Sequence, residues 1–235
     1  MSKDIEFGFD ERTLIAGGTG TGKTVLSKAL LNEYYVSSRG LVPIYILDTK
    51  IFGDFDEYGQ ATRNGRIGRI IQSDEPPAPF VPSHQNGSFL VWQTTSTDEG
   101  DDGAIGRFLF NIFQARRPCV VFIDEISSFT GNNGQKYPKA LDLLYKQGRA
   151  HNMAVICCTQ AVSYFPKVVL TQTTHAIRLN MVDNYDIRKL SRFMGKATES
   201  DPLHQYGFWY RNLMKPIRQN PPLYYKDMQE FFDLR

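Results

Sequence analysis

The sequence predicts an α/β protein with a central, mainly parallel sheet flanked by helices. Three observations carry this. Short apolar runs alternate with segments of helical periodicity along most of the chain. A glycine-rich turn, Gly17–Thr24, joins the first apolar run to the first helical segment. Val120–Ile123 is an unbroken apolar run ending in two carboxylates, Asp124 and Glu125, as a buried parallel strand does at a ligand-binding edge.

Taken in order, Thr13–Ala16 is a short strand feeding the glycine-rich turn. Lys23 to Ser37 reads as a helix whose inward face is Val25, Leu26, Ala29, Leu30 and Tyr34. Leu41–Leu47 is a second strand, ending at Asp48-Thr49-Lys50. From Phe52 to Gly87 the periodicity weakens, and Pro76, Pro77, Pro79 and Pro82 oppose regular structure, so a long surface excursion is expected. Ser88–Gln93 resumes as a strand. Asp101–Ala115 is predicted helical, with acids in its first turn and Arg116-Arg117 at its end, the orientation the helix dipole favours. Pro118 stops it.

Val120–Asp124 follows as a buried strand, Tyr137–Ala150 as a helix and Ala154–Thr159 as another strand. Ala176–Asn180 is the next expected strand, then a helix through Tyr185–Met194 and a late strand at Gly207–Arg211. The tail from Pro221 to Arg235 is expected to pack as a short helix or arm. No repeat and no break in composition divides residues 1–235, so one domain is expected.

Net charge is +2, too small to indicate a nucleic-acid partner by itself, so any such contact must be concentrated locally. No apolar run approaches the ~20 residues needed to span a bilayer, and a cytoplasmic location is expected. Cys119 opens one apolar run, while the adjacent Cys157 and Cys158 sit inside another. Strand neighbours point to opposite faces, and no metal-ligand spacing is present, so buried, reduced thiols are expected.

Gly17-Gly18-Thr19-Gly20-Thr21-Gly22-Lys23-Thr24 matches the phosphate-binding loop G-x-x-x-x-G-K-[ST] in full. Glycines let successive N–H groups curl around phosphate oxygens at a helix N-terminus. Lys23 is expected to reach the β- and γ-phosphates of ATP, Thr24 to ligate Mg²⁺, and Val25 to flank the nucleotide. Asp124 is expected to hold the magnesium, and Glu125 to act as the general base on the attacking water. With this loop, the fold class becomes a P-loop NTPase of the RecA/ASCE type.

Gly148-Arg149-Ala150-His151-Asn152, then Ala154–Thr159, then Gln160, resembles the FtsK–HerA superfamily of ring-shaped DNA-pumping ATPases. The resemblance extends to Ile46-Leu47-Asp48-Thr49-Lys50, to Ala176-Ile177-Arg178-Leu179 with Asp186-Ile187-Arg188-Lys189-Leu190, and to Gly207-Phe208-Trp209-Tyr210-Arg211. It therefore spans roughly Thr13 to Arg211. It implies that Gln160 senses the γ-phosphate and that Arg149 is an arginine finger entering a neighbouring subunit's site, with Arg178 and Arg188 in reserve.

Cellular members carry domains outside the motor core. The core seen here is most similar to the genome-packaging ATPases of tailless double-jelly-roll viruses with internal membranes. What the resemblance implies is a double-stranded DNA translocase working as a homo-oligomeric ring, a hexamer, docked on a capsid or capsid-vertex membrane protein, with virion association as a second location. A cellular or plasmid translocase, and a nucleotide switch acting on a protein partner, are the alternatives. For DNA, Arg63, Arg66 and Arg69 form a glycine-spaced basic stretch, and Lys136 and Lys139 follow the carboxylate pair in a polar loop, with Lys167 in a third segment. A solvated surface strand or hairpin is the favoured reading of the first segment, and an ordinary connector explains the second equally well.

Overall fold

The computed structural model describes residues 7–49, 53–59, 68–83, 87–95, 101, 103–130, 137–202 and 204–232. The strands are β1 (Arg12–Ala16), β2 (Ile44–Asp48), β3 (Gly68–Gln72), β4 (Phe89–Gln93), β5 (Cys119–Ile123), β6 (Met153–Thr159), β7 (His175–Arg178), β8 (Phe208–Asn212) and β9 (Leu223–Tyr225). The helices are α1 (Lys23–Ser37), α2 (Ala104–Gln114), α3 (Lys139–Lys146), α4 (Lys167–Gln172), α5 (Asn184–Met194) and α6 (Met228–Phe232). Among the described residues, the strands form one nine-stranded sheet in the order β3-β4-β2-β5-β6-β1-β7-β8-β9. Pairing is parallel from β3 through β7 and antiparallel at β7–β8 and β8–β9.

Alternation along each strand supplies two cores, one on each face of the sheet. On β5, Cys119, Val121 and Ile123 face α2 and α3, while Val120 and Phe122 join the layer under α1. Cys157 and Cys158 likewise fall on opposite faces, and all three cysteines are buried free thiols. Burial pushes the Cys119 and Cys157 thiols up to about 12. No helix among the described residues is long and apolar enough to cross a membrane.

Several expected boundaries move. The excursion after β2 is not irregular throughout: Asp56–Gly59 is a 3-10 turn and β3 pairs with β4 at the sheet edge. Its proline segment follows β3 rather than interrupting it, which is why the strand survives. Helix α2 begins at Ala104 with Gly103 as its cap, so no acid stands in its first turn, and Arg116 lies beyond its end with a positive φ of 47°. The expected helix Tyr137–Ala150 is shorter: Pro138 caps α3, which ends at Lys146, and Gly148–His151 tightens into a 3-10 turn. Val25, assigned inward on α1, is 57% exposed. The tail adds a strand as well as a helix, and Phe231 is buried against Phe208, Tyr210 and Tyr225.

Candidate nucleotide site

Strand order decides where the site lies. β6 stands between β1 and β5, so three adjacent carboxyl-terminal ends deliver the glycine loop, Gln160 and the Asp124–Glu125 pair to one edge. Gly17 N–H bonds Thr159 O at 3.1 Å and Gly18 N–H bonds Asn180 O at 2.7 Å, pinning the loop to the ends of both neighbouring strands. Gly20 and Gly22 hold φ of 74° and 103°, which a side chain would strain. Gly22 caps α1 with no side-chain bond, leaving the helix's first N–H groups for a ligand. Lys23 Nζ lies 2.8 Å from the carbonyls of both Gly17 and Gly18, so its ammonium spans the loop.

Asp124 is buried at the end of β5. Burial raises the Cys158 thiol, and Asp124 adds to that shift while Lys23 opposes it, so the acid and the ammonium flank the same group. A magnesium ion prefers hard oxygen donors, and the Thr24 hydroxyl and Asp124 carboxylate are of that kind. Thr24 Oγ1 also donates to Asp54 Oδ2 at 3.2 Å, a third carboxylate beside the loop.

Glu125 is held by four donors. Its Oε1 accepts from Ser127 Oγ at 2.6 Å, from Thr159 Oγ1 at 3.0 Å and from Ser127 N–H at 3.4 Å. Its Oε2 accepts from Gln160 N–H at 3.1 Å. Gln160 Oε1 in turn accepts from Thr19 Oγ1 at 3.0 Å, so the residue after β6 touches both the loop and the carboxylate. Beside the loop lies an apolar cleft of about 160 Å³ lined by Gly22, Val25, Leu26, Leu179, Tyr206, Phe208 and Met228.

Sequence reasoning had not singled out Asp54, Ser127 or Tyr206, and named Thr159 only as the end of the strand before Gln160. Ser127 carried a local signal, since a serine two residues after a carboxylate readily bonds back to it. The others come near the loop only through tertiary pairing.

Arg149 is elsewhere. It lies in the 3-10 turn before β6, on the opposite edge, where its Nε donates to Asp10 Oδ2 at 2.9 Å and its side chain is 54% exposed. The length of β6, at about 3.3 Å per residue, keeps it ~20 Å from Gln160. Arg178 does not serve as a reserve finger: it is fully buried, donating to the carbonyls of Thr198 and Ser200 and to Asp201. Arg188 is exposed on α5. Among the basic candidates, Arg69 is on the edge strand β3 with its guanidinium 5.1 Å from the Phe80 ring centre. Lys139 opens α3 and pairs with Asp101 at 3.1 Å, and Lys167 opens α4. Arg63, Arg66 and Lys136 lie outside the described residues.

A scan against protein-family models and a search of curated proteins found no match. Solved structures do match. The genome packaging NTPase B204 from Sulfolobus turreted icosahedral virus 2, in complex with AMP, aligns over 94% of this chain and 100% of its own, at 17% identity and a TM-score of 0.67. The same protein in complex with sulfate gives a TM-score of 0.70 at 17% identity, covering 94% of this chain and 98% of its own. The cytoplasmic domain of EssC aligns over 98% of this chain but 44% of its own, at 14% identity and a TM-score of 0.54. The chain thus has the fold of a P-loop ATPase.

Proposed function

We propose that this chain is a magnesium-dependent ATPase that translocates double-stranded DNA, packaging a viral genome as a homo-oligomeric ring. The observation that carries the catalytic half is the joined pair Glu125–Gln160 against the loop, with Gln160 bonded to Thr19 on one side and Glu125 on the other. Lys23 and the N–H groups at the start of α1 bind the phosphates. The base lies over Val25 and Tyr206, whose cleft is apolar and adjoins Gly22. Thr24 and Asp124 would hold magnesium, which would supply neutralisation of phosphate charge. Glu125 accepts the proton of the attacking water, and the Gln160 amide orients it.

Support for DNA packaging comes from B204, which is described as a genome packaging NTPase and is matched over its whole length. A hexameric ring, a capsid or capsid-membrane docking partner, and residence in the host cytoplasm or virion belong to the same reading. Arg149 would act in this ring on a neighbour's nucleotide, because its own loop lies across the sheet.

The test is steady-state ATP hydrolysis with and without a duplex DNA fragment, over a range of salt. Stimulation by duplex that fades as salt rises is expected, since phosphate contacts release counterions. Lys23→Ala should lose tight ATP binding, whereas Glu125→Gln should keep binding and lose turnover. Equal turnover with and without duplex at every salt concentration would leave an ATPase but remove the translocase.

A further inference from the structure

A second recess among the described residues lies away from the nucleotide site. It is a cavity of about 510 Å³ at the opposite edge of the sheet, where α3 and α5 end and β1 begins. Its wall carries Arg12, Lys146, Arg149, Arg192 and Arg211 against a single carboxylate, Asp10. Asp10 pairs with Arg149, and Lys146 pairs with Asp142 at 2.6 Å, so these four cancel.

The other three cations do not cancel. Arg12 and Arg211 are 2% and 8% exposed, yet each donates only to backbone carbonyls. Arg12 binds the carbonyls of Asp10, Leu144 and Tyr145. Arg211 binds those of Phe193, Lys215 and Asn220. Two of these helix-end carbonyls belong to α3 and one to α5, whose dipoles return about half a negative charge each. Arg192 has no carboxylate partner among the described residues. About two positive charges therefore remain uncompensated around one recess. Burial lowers the pKa of both Arg12 and Arg211, and at Arg12 the neighbouring Arg149 adds to the shift while Asp10 opposes it. A guanidinium has five N–H donors, and each of these two buried groups commits three to carbonyls.

We propose that this cavity is a second anion site that takes a phosphate-bearing ligand. A multiply charged phosphate chain matches the residual charge, whereas one carboxylate would balance half of it. The volume falls within the ~300–1,000 Å³ of small-ligand sites. The phosphates come either from a free oligophosphate or nucleotide, or from a nucleic-acid backbone. The inference does not depend on the ATPase reading, nor on Arg149 reaching a neighbour.

The test uses the full chain carrying Lys23→Ala, which removes the ammonium of the glycine loop as a competing anion site. Sodium tripolyphosphate and, separately, a short DNA duplex are titrated calorimetrically at low salt. Saturable binding of either probe is expected, weakened about tenfold or more when Arg192→Glu, which reverses the exposed uncompensated charge of the wall, is added. Lys196→Gln, an exposed cation outside the cavity, should leave it unchanged. These replacements spare the buried Arg12 and Arg211, and thermal melting checks that folding survives. Tripolyphosphate binding that duplex fails to displace identifies a free oligophosphate as the source, and displacement identifies a shared backbone site. Absence of saturable binding of both probes, or equal binding in the cavity variant and the Lys196→Gln control, would overturn the proposal.

Discussion

Replacing Thr159 by Val tests the proposed role of Glu125 through a residue that touches no substrate. The Thr159 side chain is buried at the end of β6, and its hydroxyl accepts from Ala161 N–H at 3.0 Å. It has one proton to give, and two acceptors stand in range: Glu125 Oε1 at 3.0 Å and Ala161 O at 3.1 Å. The ionised carboxylate is the stronger acceptor, so the proton goes there. Valine keeps the branched shape and removes the donor. A hydrogen bond to a charged group contributes ~1.5–3 kcal/mol. If that bond fixes the carboxylate only where the reaction needs it, the loss falls on the barrier, at about 1.36 kcal/mol per tenfold. A fall in kcat of roughly 10- to 100-fold follows. ATP affinity should change little, because the loop and Lys23 are untouched. Thr159→Ser restores the hydroxyl and should recover most of the rate. The assay is steady-state hydrolysis alongside equilibrium binding of a non-hydrolysable analogue. A folded Thr159→Val protein with wild-type kcat would refute the argument, as would a loss confined to affinity.

Two further outcomes follow from the same geometry. Arg149→Ala should reduce turnover by about 10³-fold with ATP affinity nearly unchanged, and mixing it with inactive Glu125→Gln protein should restore activity at interfaces that pair an intact Glu125 with an intact Arg149. Absence of recovery in mixtures shown to co-assemble counts against action between subunits. The thiols should be inert in the native protein: with Cys119 and Cys157 pushed up to about 12, the thiolate fraction at pH 8 is on the order of 10⁻⁴. A chromogenic disulfide reagent should therefore titrate the three cysteines only after unfolding, and rapid labelling of native protein would contradict their burial.

The glycine loop was legible because its information is local. Eight consecutive residues specify the positive-φ glycines, the ammonium and the hydroxyl, and a strand and helix flank them in sequence. Val120–Glu125 was legible for a similar reason, its apolar run being too long for an exposed strand. Edge strand β3 was not. Its Ile70 and Ile71 are half-buried, and what makes them a strand is a parallel partner, β4, reached across the proline segment. The ends of α2 and α3 were misplaced because charged residues and tyrosines satisfied a helical period, while Gly103 caps α2 and Pro138 and Gln147 bound α3. Arg178 shows the limit most directly. As a letter it matched a finger; folded, it is fully buried and ties the segment Thr198–Asp201 to the end of β7.

Strand polarity explains why Arg149 and the glycine loop cannot meet within one chain. In a parallel sheet every strand delivers its carboxyl end to the same edge, so the loop, Glu125 and Gln160 converge while whatever precedes the strands is left on the far side. Arg149 precedes β6 and Gln160 follows it, with the length of the strand between them. A conformational change that kept the β1–β6–β5 register could not close that gap, and the register is held by ladders on both sides of β6. Under the proposed mechanism the positive edge of one copy must therefore meet the loop edge of another, using two different surfaces. Such a heterologous contact repeats head to tail and ends only by closing into a ring or continuing as a filament. If Arg149 acts between subunits as proposed, a ring or filament follows from its place before β6.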